Sequence, residues 1–193
     1  GVLHCFATAK FDKTEDPRFG KIGKQVCEDT GALTRKRMET VDEEFINASF
    51  TFMDKAKAED KPFFIWLAPT RMHTFTRVPE KYLEMVRPHT SYYDLHGAGM
   101  LQHDEQVGMI LDKLEEMGVA DNTIVVYSAD NGPEHVTYPH GATTPFRGEK
   151  MTTWEGGVRV PTMVRWPARI KPGTELNGIQ AHYDLFTTLA AAA

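Results

Sequence analysis

The stretch Phe63-Phe64-Ile65-Trp66-Leu67-Ala68 is apolar at every position, where a half-buried strand would alternate. A strand of this kind needs cover on both faces, and sheets covered on both faces are built from parallel strands joined by helices. A second run, Thr123–Ser128, is rich in β-branched residues. Between the two, Val107, Ile110, Leu111, Leu114 and Met117 recur at helical spacing. The spacing predicts a helix over 102–118, with Asp104 or a near neighbour at its start and Gly118 as the terminating glycine. Strand 63–68, helix 102–118 and strand 123–128 form a β-loop-α-β unit. Its simplest packing is two parallel strands of one sheet joined by a right-handed crossover.

The flanking segments fit an α/β chain. Residues 1–33, with four glycines, one proline and no clear period, read as mostly loop; Cys5 and Cys27 within them can pair. Met38, Val41, Phe45, Ala48, Phe52, Met53 and Ala56 mark one face of a long helix from Thr34, ended by Asp60-Lys61-Pro62. Residues 69–99 read as irregular, 132–161 as a Gly/Pro/Thr-rich loop, Thr162–Trp166 as a short strand, and a last helix begins near His182. With 193 residues, 41% hydrophobic, the chain supports one domain with a core. A net charge of −5 without a basic stripe argues against a nucleic-acid partner, and no stretch is long enough to span a membrane. Beginning at Gly1 and ending in four alanines, the chain reads as a piece of a longer protein.

The strand 123–128 runs into Ala129-Asp130-Asn131-Gly132-Pro133. Asn-Gly suggests a hairpin, but the residues that follow hold two prolines and no period-two pattern. That leaves a plain turn, in which Asp130 and Asn131 bond backbone, and a hard-cation site. Position favours the cation, because ligands of open α/β sheets bind outside the carboxyl ends of strands. Thr70-Arg71-Met72-His73 follows the other strand, so parallel strands would bring carboxylate, amide, guanidinium and imidazole to one edge. A third cluster, Thr144-Pro145-Phe146-Arg147-Gly148-Glu149-Lys150 followed by Trp154-Glu155-Gly156-Gly157-Val158-Arg159, combines close-approach glycines with a compact cation for an oxyanion.

In this order the segments resemble the sulfatase family of the alkaline-phosphatase-like superfamily, bacterial arylsulfatases in particular. The matching stretches are Lys61-Pro62-Phe63-Phe64 with His73, Ala129 to Pro133, Arg147-Gly148-Glu149-Lys150, Glu155 to Pro161, Arg165-Trp166-Pro167 and Tyr183 to Leu189. The resemblance implies a three-layer α/β/α sandwich with a mostly parallel sheet, of which residues 1–193 would be an incomplete, C-terminal portion. It implies a calcium ion held in part by Asp130 and Asn131, and a sulfate gripped by the catalytic pair His73 and Lys150. His73 would donate to the ester oxygen and Lys150 would neutralise developing charge. Arg147 and His140 would line substrate. Asn131 favours a sulfatase over phosphatase relatives, which place a zinc-binding histidine there.

The resemblance also implies a formylglycine nucleophile, matured by a formylglycine-generating enzyme from a Cys/Ser-x-Pro-x-Arg signature. Neither Cys5 nor Cys27 is followed by that pattern, so this chain is expected to carry half an active site and to be inactive alone. The expected activity of the whole protein is hydrolysis of a small-molecule or carbohydrate sulfate ester. The rivals are a phosphonate or phosphodiester hydrolase of the same superfamily and a non-catalytic binding module. The resemblance suggests an exported or periplasmic protein and leaves the cytoplasm open. His89, His96, His103 and His135 are read as loop or helix-surface residues.

Overall fold

The computed structural model describes all residues except 11, 12, 14, 17–19, 22 and 142. Two antiparallel strands, β1 (Leu3–Ala7) and β4 (Gln25–Asp29), open the chain, with a shorter antiparallel pair, β2 (Glu15–Asp16) and β3 (Gly20–Lys21), between them. Cys5 lies opposite Cys27 and the two are disulfide-bonded. The described residues of 1–33 therefore hold two strand pairs where the sequence reads mostly as loop. Leu3, Phe6 and Val26 all stand exposed, so no buried face imposed the alternation by which a strand is recognised.

A short helix, α1 (Arg35–Met38), is capped by Thr34, whose hydroxyl accepts from the Arg37 N–H at 3.2 Å. After a break at Glu39-Thr40, α2 (Val41–Ala58) runs on. The break rotates the helix face. The residues buried on α2 are Val41, Asp42, Ile46, Met53 and Ala56, while Ala48 and Phe52 face solvent, contrary to the face predicted from Met38. Asp60 ends α2 in a left-handed conformation (φ 51°), with its N–H donating to Lys57 O at 3.1 Å and Lys61 N–H to Ala56 O at 2.9 Å. This is a Schellman arrangement built without glycine.

Residues 69–99 are less irregular than predicted. They hold α3 (Glu80–Val86), a 3₁₀ turn at Arg87–His89, and the first turns of α4 (Leu95–Glu116). Asp94 caps α4 by accepting from the Gly97 N–H at 2.7 Å, and Asp104 sits in mid-helix rather than at a terminus. Gly97 and Gly99, with the buried polar residues Gln102, His103 and Gln106, conceal the helical period in the sequence. Gly118 (φ 67°) ends α4 as predicted, donating to Glu115 O while Val119 donates to Leu114 O. The Lys57 ammonium donates to Met117 O and ties the ends of α2 and α4 together.

Two apolar clusters hold the helices. Val78, Tyr82, Leu83 and Val86 close over Ala98 and Leu95 between α3 and α4. Met53, Leu114, Met117 and Ala120 pack with Phe50, Phe63, Ile65 and Val125. Each fully buried aliphatic side chain stabilises by about 1.5–3 kcal/mol, so these few contacts carry much of the fold.

Residues 63–68 join the second cluster by one face only. Phe63, Ile65 and Leu67 are half-buried, whereas Phe64 is 71% and Trp66 88% exposed. No strand ladder forms along them among the described residues. The predicted parallel pairing with 123–128 is absent: β5 (Val125–Ser128) pairs antiparallel with β6 (Thr162–Arg165). Nothing in the described chain lies beside 63–68 to supply the second face that the apolar run calls for. The short helix α5 (Glu155–Val158) precedes β6, and α6 (Asp184–Ala192) ends the chain near its predicted start.

Candidate active site

Two loops and the short helix α5 meet outside the carboxyl end of β5, and glycines let them meet. Gly132 N–H donates to Gly157 O at 2.9 Å, and Gly156 N–H donates to Arg147 O at 2.8 Å. A Cβ on Gly132 would lie 1.8 Å from Gly156 O, and one on Gly156 would lie 2.1 Å from Gly148 O. A Cβ on Gly157 would lie 2.3 Å from Thr152 O. Only bare backbone fits at this junction. Lys150 N–H adds a bond to Pro133 O at 2.9 Å, so the lysine is fastened beside the Asp130-Asn131 loop.

Lys150 reaches across to Glu134, Nζ to Oε2 at 3.0 Å. Glu134 also accepts from the Thr137 hydroxyl at 2.7 Å. That hydroxyl, then the Lys150 ammonium, then the charge of His73 hold the Glu134 carboxyl below its usual range. Glu134 thus pairs with the lysine that the sequence singled out, in a loop that Tyr138 ties to the carbonyl of His73. No spacing rule marks it in the sequence, since a glutamate in a polar loop looks like surface.

His73 is exposed on a tight turn, with its N–H bonded to Thr70 O at 2.9 Å. Its carbonyl accepts from the Thr76 hydroxyl at 2.7 Å and the Tyr138 hydroxyl at 2.8 Å, the second joining it to the loop of Glu134. Beneath the turn, Gly99 of α4 leaves room for Met72, whose sulfur lies 2.3 Å from where a Cβ would sit. Arg71 does not reach the rim with His73, as the sequence suggested. Its side chain is 1% exposed and bonds Asp42 at 3.1 Å, Gln102 at 3.0 Å and the carbonyls of Glu39 and Arg77. The turn is anchored from below by its own arginine.

Backbone strain gathers here too. Three non-glycine residues have positive φ among those described: Asp60, Phe75 (64°) and Met151 (69°). Phe75 lies two residues from His73 and Met151 one from Lys150. For residues of this bulk the conformation costs about 1–2 kcal/mol and clusters at functional sites.

Asp130 and Asn131 offer two oxygen donors. No described donor engages the exposed Asp130 carboxylate, and Asn131 spends its amide N–H on Gly132 O at 2.8 Å, leaving its oxygen to accept. A carboxylate and an amide oxygen suit a hard cation rather than zinc. No cluster of three or more His, Cys, Asp or Glu side chains able to hold a metal occurs among the described residues. Arg147 stacks on Trp154 at 4.0 Å and is exposed, and His140 stacks on Tyr92 at 4.2 Å. His103 is buried rather than on a helix surface, and its Nε2 meets the Tyr127 hydroxyl at 3.1 Å. His135 Nδ1 lies 3.3 Å from Glu149.

Comparison with known proteins gives the chain a family. The family model described as Sulfatase matches residues 7–193. Steryl-sulfatase of Rattus norvegicus is 30% identical over 201 residues, covering 98% of this chain and 30% of its own length. N-acetylgalactosamine-6-sulfatase of Homo sapiens is 33% identical over 141 residues, covering 72% of this chain and 26% of itself. The crystal structure of PsFucS1 sulfatase from Pseudoalteromonas sp. superposes with a TM-score of 0.69 at 28% identity, over 80% of this chain and 30% of that one. Ps i-CgsB gives a TM-score of 0.71 at 27% identity, over 86% and 36%. The chain spans about a third of the length of these relatives or less, and its α/β fold is the alkaline-phosphatase-like fold of the solved sulfatases. From residue 7 to its end, the chain belongs to the sulfatase family.

Proposed function

We propose that the protein containing this chain is a sulfuric ester hydrolase, and that His73 and Lys150 bind the sulfate group. The reading rests on one observation above all. The glycine junction fastens Lys150 beside the Asp130-Asn131 loop, Glu134 pairs with Lys150, and Tyr138 of the same loop bonds the carbonyl of His73. Lys150 supplies a compact ammonium for the sulfate oxygens, and His73 lies exposed where a proton can be donated to the departing alcohol oxygen. Arg147, held by Trp154, lines the approach.

Asp130 and Asn131 are two ligands of a calcium ion, which takes about 6–8 oxygens, so further ligands come from outside the described residues. Bound there, calcium would neutralise negative charge on the sulfate oxygens. The nucleophile, a formylglycine, also comes from outside: the chain holds no Cys/Ser-x-Pro-x-Arg signature, and its two cysteines are joined to each other. A formylglycine-generating enzyme is the implied partner in maturation. The names of the relatives span steryl and N-acetylgalactosamine esters and do not choose the alcohol; a carbohydrate or other small-molecule sulfate is the substrate proposed.

The deciding experiment assays the longer protein on nitrophenyl sulfate and nitrophenyl phosphate in parallel. Sulfate turnover should dominate, and His73→Ala and Lys150→Ala should each lower kcat about 100-fold or more, the loss typical of one charge-stabilising donor. The 193-residue chain should be inert. Robust hydrolysis by the chain alone, or preference for the phosphate ester, overturns the reading.

A further inference from the structure

A cleft of ≈ 270 Å³ lies between the segment that enters α4 and the loop 137–141. Its walls include Tyr92, Tyr93, His96, Tyr138 and His140. Tyr92 and His140 stack at 4.2 Å, and His96 meets Tyr138 edge-on at 5.5 Å. The cleft is joined to the candidate active site. The Tyr138 hydroxyl bonds His73 O, and Thr137, which also lines the cleft, bonds Glu134.

Each of these five rings carries a polar edge; none is Phe or Trp. The rim carboxylate, Asp94, is spent on the Gly97 N–H. Burial holds His96 below the usual imidazole range, in its neutral form, against a smaller opposing pull from Asp94. Arg87, which shares a small neighbouring pocket with Tyr92 and Tyr93, is paired with Glu80 at 2.6 Å. With the Tyr138 and Thr137 hydroxyls already donated to His73 O and Glu134, the cleft offers aromatic faces, the Tyr92 and Tyr93 hydroxyls and imidazole nitrogens, without an uncommitted charge.

That set matches a neutral ring with an apolar C–H face and a hydroxyl-bearing edge. A second sulfate would find no free cation. A steroid skeleton would leave the Tyr92 and Tyr93 hydroxyls and the imidazoles without partners, and unpaired polar groups cost affinity. We infer that the cleft is the subsite for the alcohol part of the ester and that it receives a neutral pyranose ring. The orientation of that ring, with its sulfate toward His73, rests on the reading of His73 and Lys150 given above.

The test uses NMR titration of the isotope-labelled chain. The probes are galactose, glucose, fucose, N-acetylgalactosamine, galactose 6-sulfate, estrone sulfate and inorganic sulfate. At least one neutral sugar should shift signals of 92–96 and 137–141 while leaving Lys150 unchanged, and inorganic sulfate should shift Lys150 and His73 but not Tyr92. Tyr92→Ala and His140→Ala should each weaken the sugar about 3- to 10-fold, as expected for loss of one stacked ring, with sulfate binding unaltered. The inference fails if no neutral sugar reaches the cleft, if both variants bind the sugar as before, or if estrone sulfate fills the cleft and the sugars do not. Sugar binding in the cleft without sulfate binding at Lys150 would uphold the ring site and sink the sulfate assignment alone.

Discussion

The ammonium of Lys150 and the carboxylate of Glu134 stand 3.0 Å apart, both partly exposed, and Tyr138, in the loop of Glu134, bonds the carbonyl of His73. A lysine so paired must share or exchange its partner when an anion arrives. Glu134→Gln removes the competing charge and should tighten inorganic sulfate about 1.5- to 5-fold, the equivalent of a partly exposed ion pair worth about 0.2–1 kcal/mol. Sulfate titration of the chain measures this. Weaker binding by Glu134→Gln would mean that the glutamate positions the lysine instead of competing for it.

The glycine junction gives a paired stability test. Gly156→Ala drives a methyl group into backbone carbonyls that cannot swing away, so a loss of about 1–3 kcal/mol or more is expected. Gly108→Ala, in mid-α4 with nothing within 4 Å of the added Cβ, should gain up to about 1 kcal/mol from helix propensity. Urea midpoints of the two variants should move in opposite directions.

Arg71 and Asp42 are buried together, at 1% and 0% side-chain exposure. Removing either partner strands the other charge, a loss of about 3–5 kcal/mol. Arg71→Met and Asp42→Leu should each show it, and the double variant should recover part of it. Amide exchange at 72–76 should accelerate in the single variants, since the pair holds the His73 turn from below. A strictly additive double variant would show that the two residues act separately.

His103 titrates below its ordinary range, chiefly because burial disfavours the cation; Asp42 and Asp104 pull it up and Arg71 pushes it down. The unfolded chain therefore binds this proton first as pH falls. Stability should decline as pH drops below about 6.5, the unfolded value, and level off once the folded histidine is protonated. His103→Gln should flatten the pH dependence of the urea midpoint in that window. An unchanged slope would assign the effect to another group, with half-buried His96 the next to examine.

Local signals reported local structure well. Gly118 ends α4, β5 begins within two residues of its predicted start, and β6 and α6 lie where turn residues and apolar runs put them. What failed depended on cover. The β1–β4 pair has no buried face, and α4 hides its first turns behind glycines and buried amides. Residues 63–68 have one apolar face packed where the sequence calls for two. For the site, Asp130 was legible as a loop residue just past a strand end, and Lys150 as a cation in a glycine-bearing cluster. The contact between Glu134 and Lys150 was not, because it depends on how closely Gly132, Gly156 and Gly157 let three backbones approach.

The open face of residues 63–68 makes the chain its own optical probe. Trp66 projects almost wholly into water, while Trp154 lies against the Arg147 guanidinium and Trp166 is half-buried near Arg169. Indole emission shifts to the blue when water leaves the ring, so any protein surface that closes over Phe64 and Trp66 will announce itself as a change of colour. The signal vanishes in Trp66→Phe, and the shift reports the docking event without any substrate present.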